Sequence, residues 1–396
     1  MSPVARVALV GIGGYGRVHL RHLLDFHARG EVRLLAAVAF DPDPDGRARA
    51  ELAHAGCEIF PSFDELFAAL PRLRLDLVIV PTPIHLHARM TIALLRAGVN
   101  VLVEKPVAAT VADTEEIIRT AQETGRIVAV GFQYLHAPEV RDLKQRLLAG
   151  AIGPLRRLVV HAAWPRNHAY YLRNKWAGRL RLGSDVVHDS PVNNAMSHFL
   201  MLMLFLAGDE AGAAQPVGLA AELYRAQAIE SFDTGVVRLV GADGCQIDFY
   251  GTHSSQYIDR PSLMITGTNG TAEWEQDGYA RLQGPAGRWE QLAGSESATR
   301  EKMLREVLAR LRGEGVFICR PELALAHVRC VERLHARVPI TPLAPDALAR
   351  RRQGDELFTY VPGLDGLMDR AARDGLSLAA AGAAWAVPEP TRVNFD

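Results

Sequence analysis

The chain has 396 residues, 48% of them apolar and 22% charged, with a formal net charge of −1. Those totals predict two or three domains with a large core, and they exclude a disordered chain. They also give no basic surplus for nucleic acid and no charge block for a membrane surface. Cys57, Cys245, Cys319 and Cys330 are scattered without a CxxC pair. That spacing argues against zinc, iron–sulfur and disulfide frameworks and points to a reducing cytoplasm. The first strand starts within four residues, so no secretory signal is expected, and the longest apolar run, Phe199 to Ala207, is too short to span a bilayer.

In chain order, Val4 to Val10 reads as a strand, followed by Gly11, Gly13, Gly14, Tyr15 and Gly16 in GIGGYG and then a helix. In this G-x-G-x-x-G pattern the first glycine makes a tight turn. The second lets a pyrophosphate approach the backbone, and the third lets helix and strand pack closely. The phosphates would sit at the positive end of the helix. A second strand, VRLLAAVAF, ends at Asp41, 25 residues after Gly16. A carboxylate there would hold ribose hydroxyls and repel a 2′-phosphate, which favours NAD over NADP. Asp41 also suits a plain turn in DPDPDG.

SFDELFAAL begins a helix with a capping box, Ser62 and Glu65. DLVIV (76–80) is a strand, PTPIHLH leads into a helix over about 86–97, and VLV (101–103) is a strand ending in Glu104, Lys105 and Pro106. A helix capped by Thr110 and the strand in RIVAVGF follow. Repeated β-α units with apolar strands predict a parallel, doubly wound α/β Rossmann sheet. Ligands of such sheets lie beyond the carboxyl ends of the strands, where Thr82, Pro83, Glu104 and Lys105 fall. A lysine there can exchange a proton with a substrate hydroxyl while Glu104 orients it. The plain alternative is a strand ended by solvated charges.

GIGGYG, Asp41, PTPIHLH…ALLRAGVNVLVEKP and a histidine far downstream resemble the glucose–fructose oxidoreductase and inositol dehydrogenase (Gfo/Idh/MocA) family over at least residues 4–210. The resemblance implies a Rossmann domain followed by an α+β domain with a large, open, mostly antiparallel sheet. It also implies NAD or NADP, and substrates that are sugars, polyols or related secondary alcohols. Dimers or tetramers through the open sheet face are implied as well. His87 matches a family position on the cofactor side, whereas Ile84 departs from the asparagine that many members carry.

In the second half, residues 137–148 read as a helix, LRRLVVHAAW as the first strand of the larger sheet, and 297–312 and 321–337 as helices. The segment WPRNHAYYLRNKWAG offers Trp164, Tyr170, Tyr171 and Trp176 to sugar faces. Arg166, Arg173 and Asn174 between them can reach hydroxyls or a carboxylate. The alternative is a surface loop pinned by its aromatics. DSPVNNAMSHFLMLMLFLAG predicts a helix from about Pro191 that puts Asn194 and His198 on one face. By the resemblance, His198 matches the family histidine that holds or deprotonates the reacting hydroxyl, and Asn194 replaces the usual aspartate. The site would thereby lose a charge. Asp189 reads as a residue near the N-cap, and His161 and His168 as either pocket or plain strand and loop residues. No triple has convincing metal spacing, so no metal is expected.

These readings divide the chain into a dinucleotide-binding domain (1–132), a substrate-binding and oligomerisation domain (133–345) and a tail packing back on the body (346–396). They predict an NAD-dependent oxidoreductase acting on a secondary alcohol of a sugar, polyol or sugar derivative, with Lys105, His198 and Asn194 at the chemistry. One alternative is an NAD-retaining enzyme that cleaves, eliminates or epimerises through transient oxidation. The other is a non-enzymatic dinucleotide-binding sensor. The expected assembly is a homodimer or homotetramer, with neither nucleic acid nor membrane as a partner.

Overall fold

The computed structural model describes residues 4–40, 46–210 and 212–395, so the Asp41 expectation lies outside the described residues. The chain divides into two compact units, residues 1–132 with 300–325, and 133–299 with 326–396.

The first unit alternates β1 (Ala5–Val10), α1 (Gly16–Ala28), β2 (Val32–Val38), α2 (Arg47–His54), β3 (Glu58–Phe60), α3 (Phe63–Leu73), β4 (Leu77–Val80), α4 (Ile84–Arg96), β5 (Asn100–Val103), α5 (Val111–Thr124) and β6 (Val128–Val130). The six strands pair in the order β3-β2-β1-β4-β5-β6, every pair parallel. β1 and β4 are buried through their apolar runs because helices cover both faces of such a sheet. The strand order reverses beside β1, the place where α/β sheets open a ligand crevice. Ser62 and Thr110 cap α3 and α5 as the sequence predicts, accepting the backbone N–H groups of Glu65 (3.2 Å) and Asp113 (3.1 Å).

The second unit holds α6 (Pro138–Leu148), β7 (Leu155–Ala163), α7 (His168–Leu172), a small hairpin β8 (Arg181–Leu182) and β9 (Asp185–Val186), and α8 (Ser197–Ala207). Strands β10 (Pro216–Arg225), β11 (Thr234–Gly241), β12 (Gln246–Thr252), β13 (Ser262–Gly267), β14 (Thr271–Glu275), β15 (Tyr279–Gly284) and β16 (Gly287–Leu292) follow. Next come α9 (Glu296–Leu311), α10 (Pro321–Arg337), β17 (Ile340–Pro342), a hairpin β18 (Ala349–Gln353) and β19 (Glu356–Tyr360), α11 (Leu364–Asp374) and β20 (Thr391–Asn394). Ten strands form one sheet, β16-β15-β14-β13-β7-β12-β11-β10-β17, with β20 also on β10. It is mostly antiparallel; β7–β12 and β10–β17 are the parallel pairs. Tyr134, Phe199 and Trp274 pack ring to ring in its core. α11 and the tail bury a second cluster, in which Trp385 meets the edge of Tyr224 at 5.0 Å.

Two boundaries differ from the sequence reading. Residues 300–325 pack with the first unit, not the second. Met303, Leu304, Val307 and Leu308 of α9 join the core of Leu9, Leu20 and Phe26, and the Cys319 carbonyl accepts the Val130 N–H at the free edge of β6 (2.8 Å). An amphipathic helix does not state which core it will cover. α8 begins at Ser197, not near Pro191, because 191–196 run as turns; Asn194 therefore precedes the helix and does not share its face with His198. No helix among the described residues is long and apolar enough to cross a membrane.

Candidate functional site

The carboxyl ends of β1, β4 and β5 bring together the glycine loop, Thr82-Pro83 and the Glu104-Lys105-Pro106 turn. α1 opens at Gly16 with no side-chain cap and no acidic residue in its first turn, so its positive end is left for an anion. A Cβ on Gly16 would lie 2.2 Å from the Gly11 carbonyl oxygen, so only glycine keeps this cradle closed around α1. Gly16→Ala is expected to cost roughly 1–3 kcal/mol through overpacking and to weaken dinucleotide binding. A fluorescence titration with NADH checks this, and an unchanged affinity would refute it. Beyond the end of β2, a groove of about 440 Å³ is lined by Phe40, Phe63, Phe67, Leu86, Arg89 and Met90. Its apolar, aromatic walls suit a flat ring. Cradle, helix end and groove together fit a dinucleotide.

Glu104 is 5% exposed and makes two defined bonds. Oε1 accepts from His19 Nε2 of α1 (2.8 Å), and Oε2 accepts the backbone N–H of Lys105 (3.0 Å). Gly131 gives it room, since a Cβ there would sit 2.6 Å from Oε1. Burial pushes its carboxyl up, but the bond and charge of His19, followed by the Lys105 charge and N–H, outweigh it and hold the pKa below the ordinary carboxylate value. Glu104 thus fixes the backbone that carries the partly buried Lys105. The His19 ring meets the Tyr15 ring at 5.6 Å, and Tyr15 Oη accepts from Arg300 Nε of α9 (2.9 Å). The glycine loop and the Lys105 turn are therefore tied through Tyr15, His19 and Glu104. His87 is buried, with its ring nitrogens 2.7 Å from the carbonyl oxygens of Pro106 and Thr82. Burial lowers its pKa against the pull of both carbonyls, so the neutral ring donates to one of them and packs against the other. It braces the two turns against each other; its ring is spent on the protein and not on a ligand.

In the second unit, β7 and α7 place the aromatic segment beside the loop before α8. Trp164 packs its ring on Phe199, next to His198, whose ring meets Tyr134 at 5.3 Å. Tyr170 stands perpendicular to Tyr171, with ring centroids 5.1 Å apart. Tyr170, Tyr171, Asp189, Ser190, Asn194 and His253 line one small, partly open cleft. His253 Nδ1 donates to the Trp164 carbonyl (2.8 Å). Burial, then the Arg166 charge, push its pKa down to about 3, so it is a neutral imidazole at working pH.

Asp189 does not cap α8. Its oxygens accept the Gly178 N–H (2.6 Å) and Asn194 Nδ2 (2.7 Å). The charge that Asn194 forgoes is thus present one side chain away, and the amide supplies the donor it needs. Asn194→Asp would set two carboxylates in contact, so one would hold its proton to a higher pH than it does when unfolded. The variant is expected to lose roughly 1–3 kcal/mol at neutral pH and to recover as pH falls towards 4. Urea unfolding at both pH values would measure this, and a pH-independent difference would refute it.

Other candidates are placed elsewhere. Asn174 Oδ1 is consumed by the backbone N–H groups of Trp176 (3.0 Å) and Ala177 (2.8 Å), so Asn174 shapes the loop. His168 bonds Thr359 of β19 (2.8 Å). His161 Nδ1 lies 3.3 Å from Asp259 and 3.0 Å from Asp369 of α11, a group of metal-capable side chains that sequence spacing could not reveal. His19, Arg300 and His253 went unnoticed in the sequence. His19 has the only local signal, one helical turn after Tyr15.

Residues 5–132 match the model of an oxidoreductase family with an NAD-binding Rossmann fold, and residues 140–273 match the GFO/IDH/MocA C-terminal domain. The chain belongs to the GFO/IDH/MocA family. Its first unit is the family's NAD-binding Rossmann domain. Among curated relatives, it is 33% identical over 172 residues to a dTDP-3,4-didehydro-2,6-dideoxy-alpha-D-glucose 3-reductase from Streptomyces violaceoruber, covering 43% of this chain and 49% of that protein. It is 36% identical over 149 residues to inositol 2-dehydrogenase 1 from Saccharopolyspora erythraea, covering 37% of this chain and 42% of that one. The match thus spans about half the length of these relatives or less. The fold is similar to that of the WlbA dehydrogenase from Bordetella pertussis, solved with NADH and UDP-GlcNAcA, with a TM-score of 0.68 and 20% identity over 100% of this chain and 99% of that one.

Proposed function

We propose that the protein is an NAD-dependent oxidoreductase moving a hydride between nicotinamide and a secondary alcohol of a sugar, polyol or sugar derivative. The observation that carries this is Lys105, held by the buried Glu104 in the same unit as the glycine cradle. The named activities of the two curated relatives, both on sugars or polyols, support the substrate class. Bound NAD supplies the hydride acceptor or donor. Lys105 takes the hydroxyl proton during oxidation and returns it during reduction. His198 and Asn194 hold the hydroxyl, and Trp164, Tyr170 and Tyr171 face the rest of the substrate, with Arg166 and Arg173 beside them. Thr82, Pro83 and the glycine loop hold the cofactor, with His87 bracing from behind. The protein works as a homodimer or homotetramer in the cytoplasm, a compartment consistent with its four free, buried cysteines.

Incubation with NAD and a panel of sugars and polyols tests this. NADH should accumulate with at least one of them. Product formation without NADH, dependent on retained NAD, would replace net oxidation by transient oxidation, and cofactor binding without any turnover would leave only a sensor. Asp41→Ala is expected to weaken NAD about tenfold, the worth of one hydrogen bond to a charged group, and to narrow the preference over NADP. Equal affinities for both cofactors in the unaltered protein would overturn that assignment.

A further inference from the structure

We propose that Arg166 and Arg173 form a subsite for an anionic group on the substrate, so that the protein takes acidic sugars, either sugar acids or phosphate-linked sugars. This rests on the reading of residues 164–176 as the substrate-facing segment. The two guanidinium carbons lie 4.6 Å and 3.6 Å from the centre of the Tyr170 ring, and Arg166 also reaches the Trp164 ring at 5.9 Å. Two cations are thus gathered on one phenol, beside the cleft that Tyr170, Asp189 and Asn194 line.

Neither guanidinium has an ion-pair partner among the described residues, and Arg166 Nε is buried without a hydrogen bond. Arg173 donates to Tyr170, at its carbonyl and its phenol oxygen. Two other arginines of the same unit are neutralised: Arg157 by Asp248 at 2.7 Å and Arg179 by Glu230 at 2.6 Å. The acid that faces Tyr170, Asp189, has both oxygens engaged by Gly178 and Asn194. His253, neutral, adds no charge of either sign. Two guanidinium groups against the single Asp189 carboxylate that bears on Tyr170 leave a net positive charge beside an aromatic wall. Guanidinium groups match carboxylate and phosphate oxygens in a two-pronged geometry that hydroxyls do not exploit. Stacking on Tyr170 and Trp164 holds the Arg166 fork in place before a ligand arrives.

The test uses the full chain saturated with NAD and measures binding by calorimetry at fixed ionic strength. The probes are D-glucose, myo-inositol, D-glucuronate and UDP-glucose. At least one anionic probe should bind at least tenfold more tightly than D-glucose. Glucuronate would identify a carboxylate and UDP-glucose a phosphate. Arg166→Gln should abolish that preference and Arg166→Lys should restore part of it, a rescue that a packing role would not give. Equal affinity for charged and neutral probes, a preference surviving in both Arg166→Gln and Arg173→Gln, or no binding by any probe overturns the subsite. Turnover of neutral sugars without preference sinks the subsite and keeps the proposed activity. Arg166-dependent anion binding with no NADH from any sugar keeps the subsite and sinks the activity.

Discussion

Lys105→Met is expected to slow hydride transfer by about 10²- to 10⁴-fold, the range lost when a positioned acid or base is removed. NAD affinity should change little. The variant keeps the backbone N–H that Glu104 accepts at 3.0 Å, so the turn keeps its anchor. The side chain is partly exposed, so methionine can replace its stem without opening a core cavity. Stopped-flow absorbance at 340 nm with saturating NAD measures the step, and NADH titration measures binding. A rate within about threefold of the parent would remove Lys105 from the chemistry; loss of NADH binding would instead make it a cofactor residue.

The second large effect concerns stability. His19→Ala is expected to cost about 3–5 kcal/mol, because it strands a buried carboxylate. The bond it breaks is the 2.8 Å contact between His19 Nε2 and Glu104 Oε1, two side chains that are 2% and 6% exposed. In the parent chain Glu104 is held below its ordinary pKa. Its contribution is therefore present above the unfolded value of about 4.3 and lost as pH falls through the lower folded value. In the variant the Lys105 charge and N–H remain, but with both His19 contributions gone burial, the largest influence, raises the folded pKa. Stability then falls as pH rises through the carboxylate range, so the deficit is smallest near pH 4 and largest at neutral pH. Urea midpoints at pH 5 and pH 8 measure it, with His19→Gln, which retains a donor, recovering part. An equal deficit at both pH values would mean that only packing was lost.

Much of the first unit was legible because its signals are local. Buried parallel strands show as apolar runs, Ser62 and Thr110 cap the helices that follow them, and the glycine loop sits between a strand and a helix. The Lys105 turn was legible for the same reason, as a charge pair ending a buried strand. What escaped is held by long-range pairing. Arg300 reaches Tyr15 from 285 positions away, and nothing in the α9 periodicity says that it covers the first core. Asn194 was read one turn too far into a helix, because 191–196 have helical spacing but run as turns whose amide at 194 binds Asp189. Asn174 looked like a ligand donor, yet an Asx turn two residues long spends its oxygen locally. The β18–β19 hairpin carries three consecutive arginines and so hides the apolar alternation that marks a strand.

The central claim is that the substrate proton moves at Lys105. The pH dependence of the first turnover, read at 340 nm in the oxidation direction with a sugar that the parent chain oxidises, tests it most directly. The rate should rise with pH through one ionisation, and Lys105→Met should be slow with a flat profile. The same rising limb persisting in Lys105→Met would place the base on another residue.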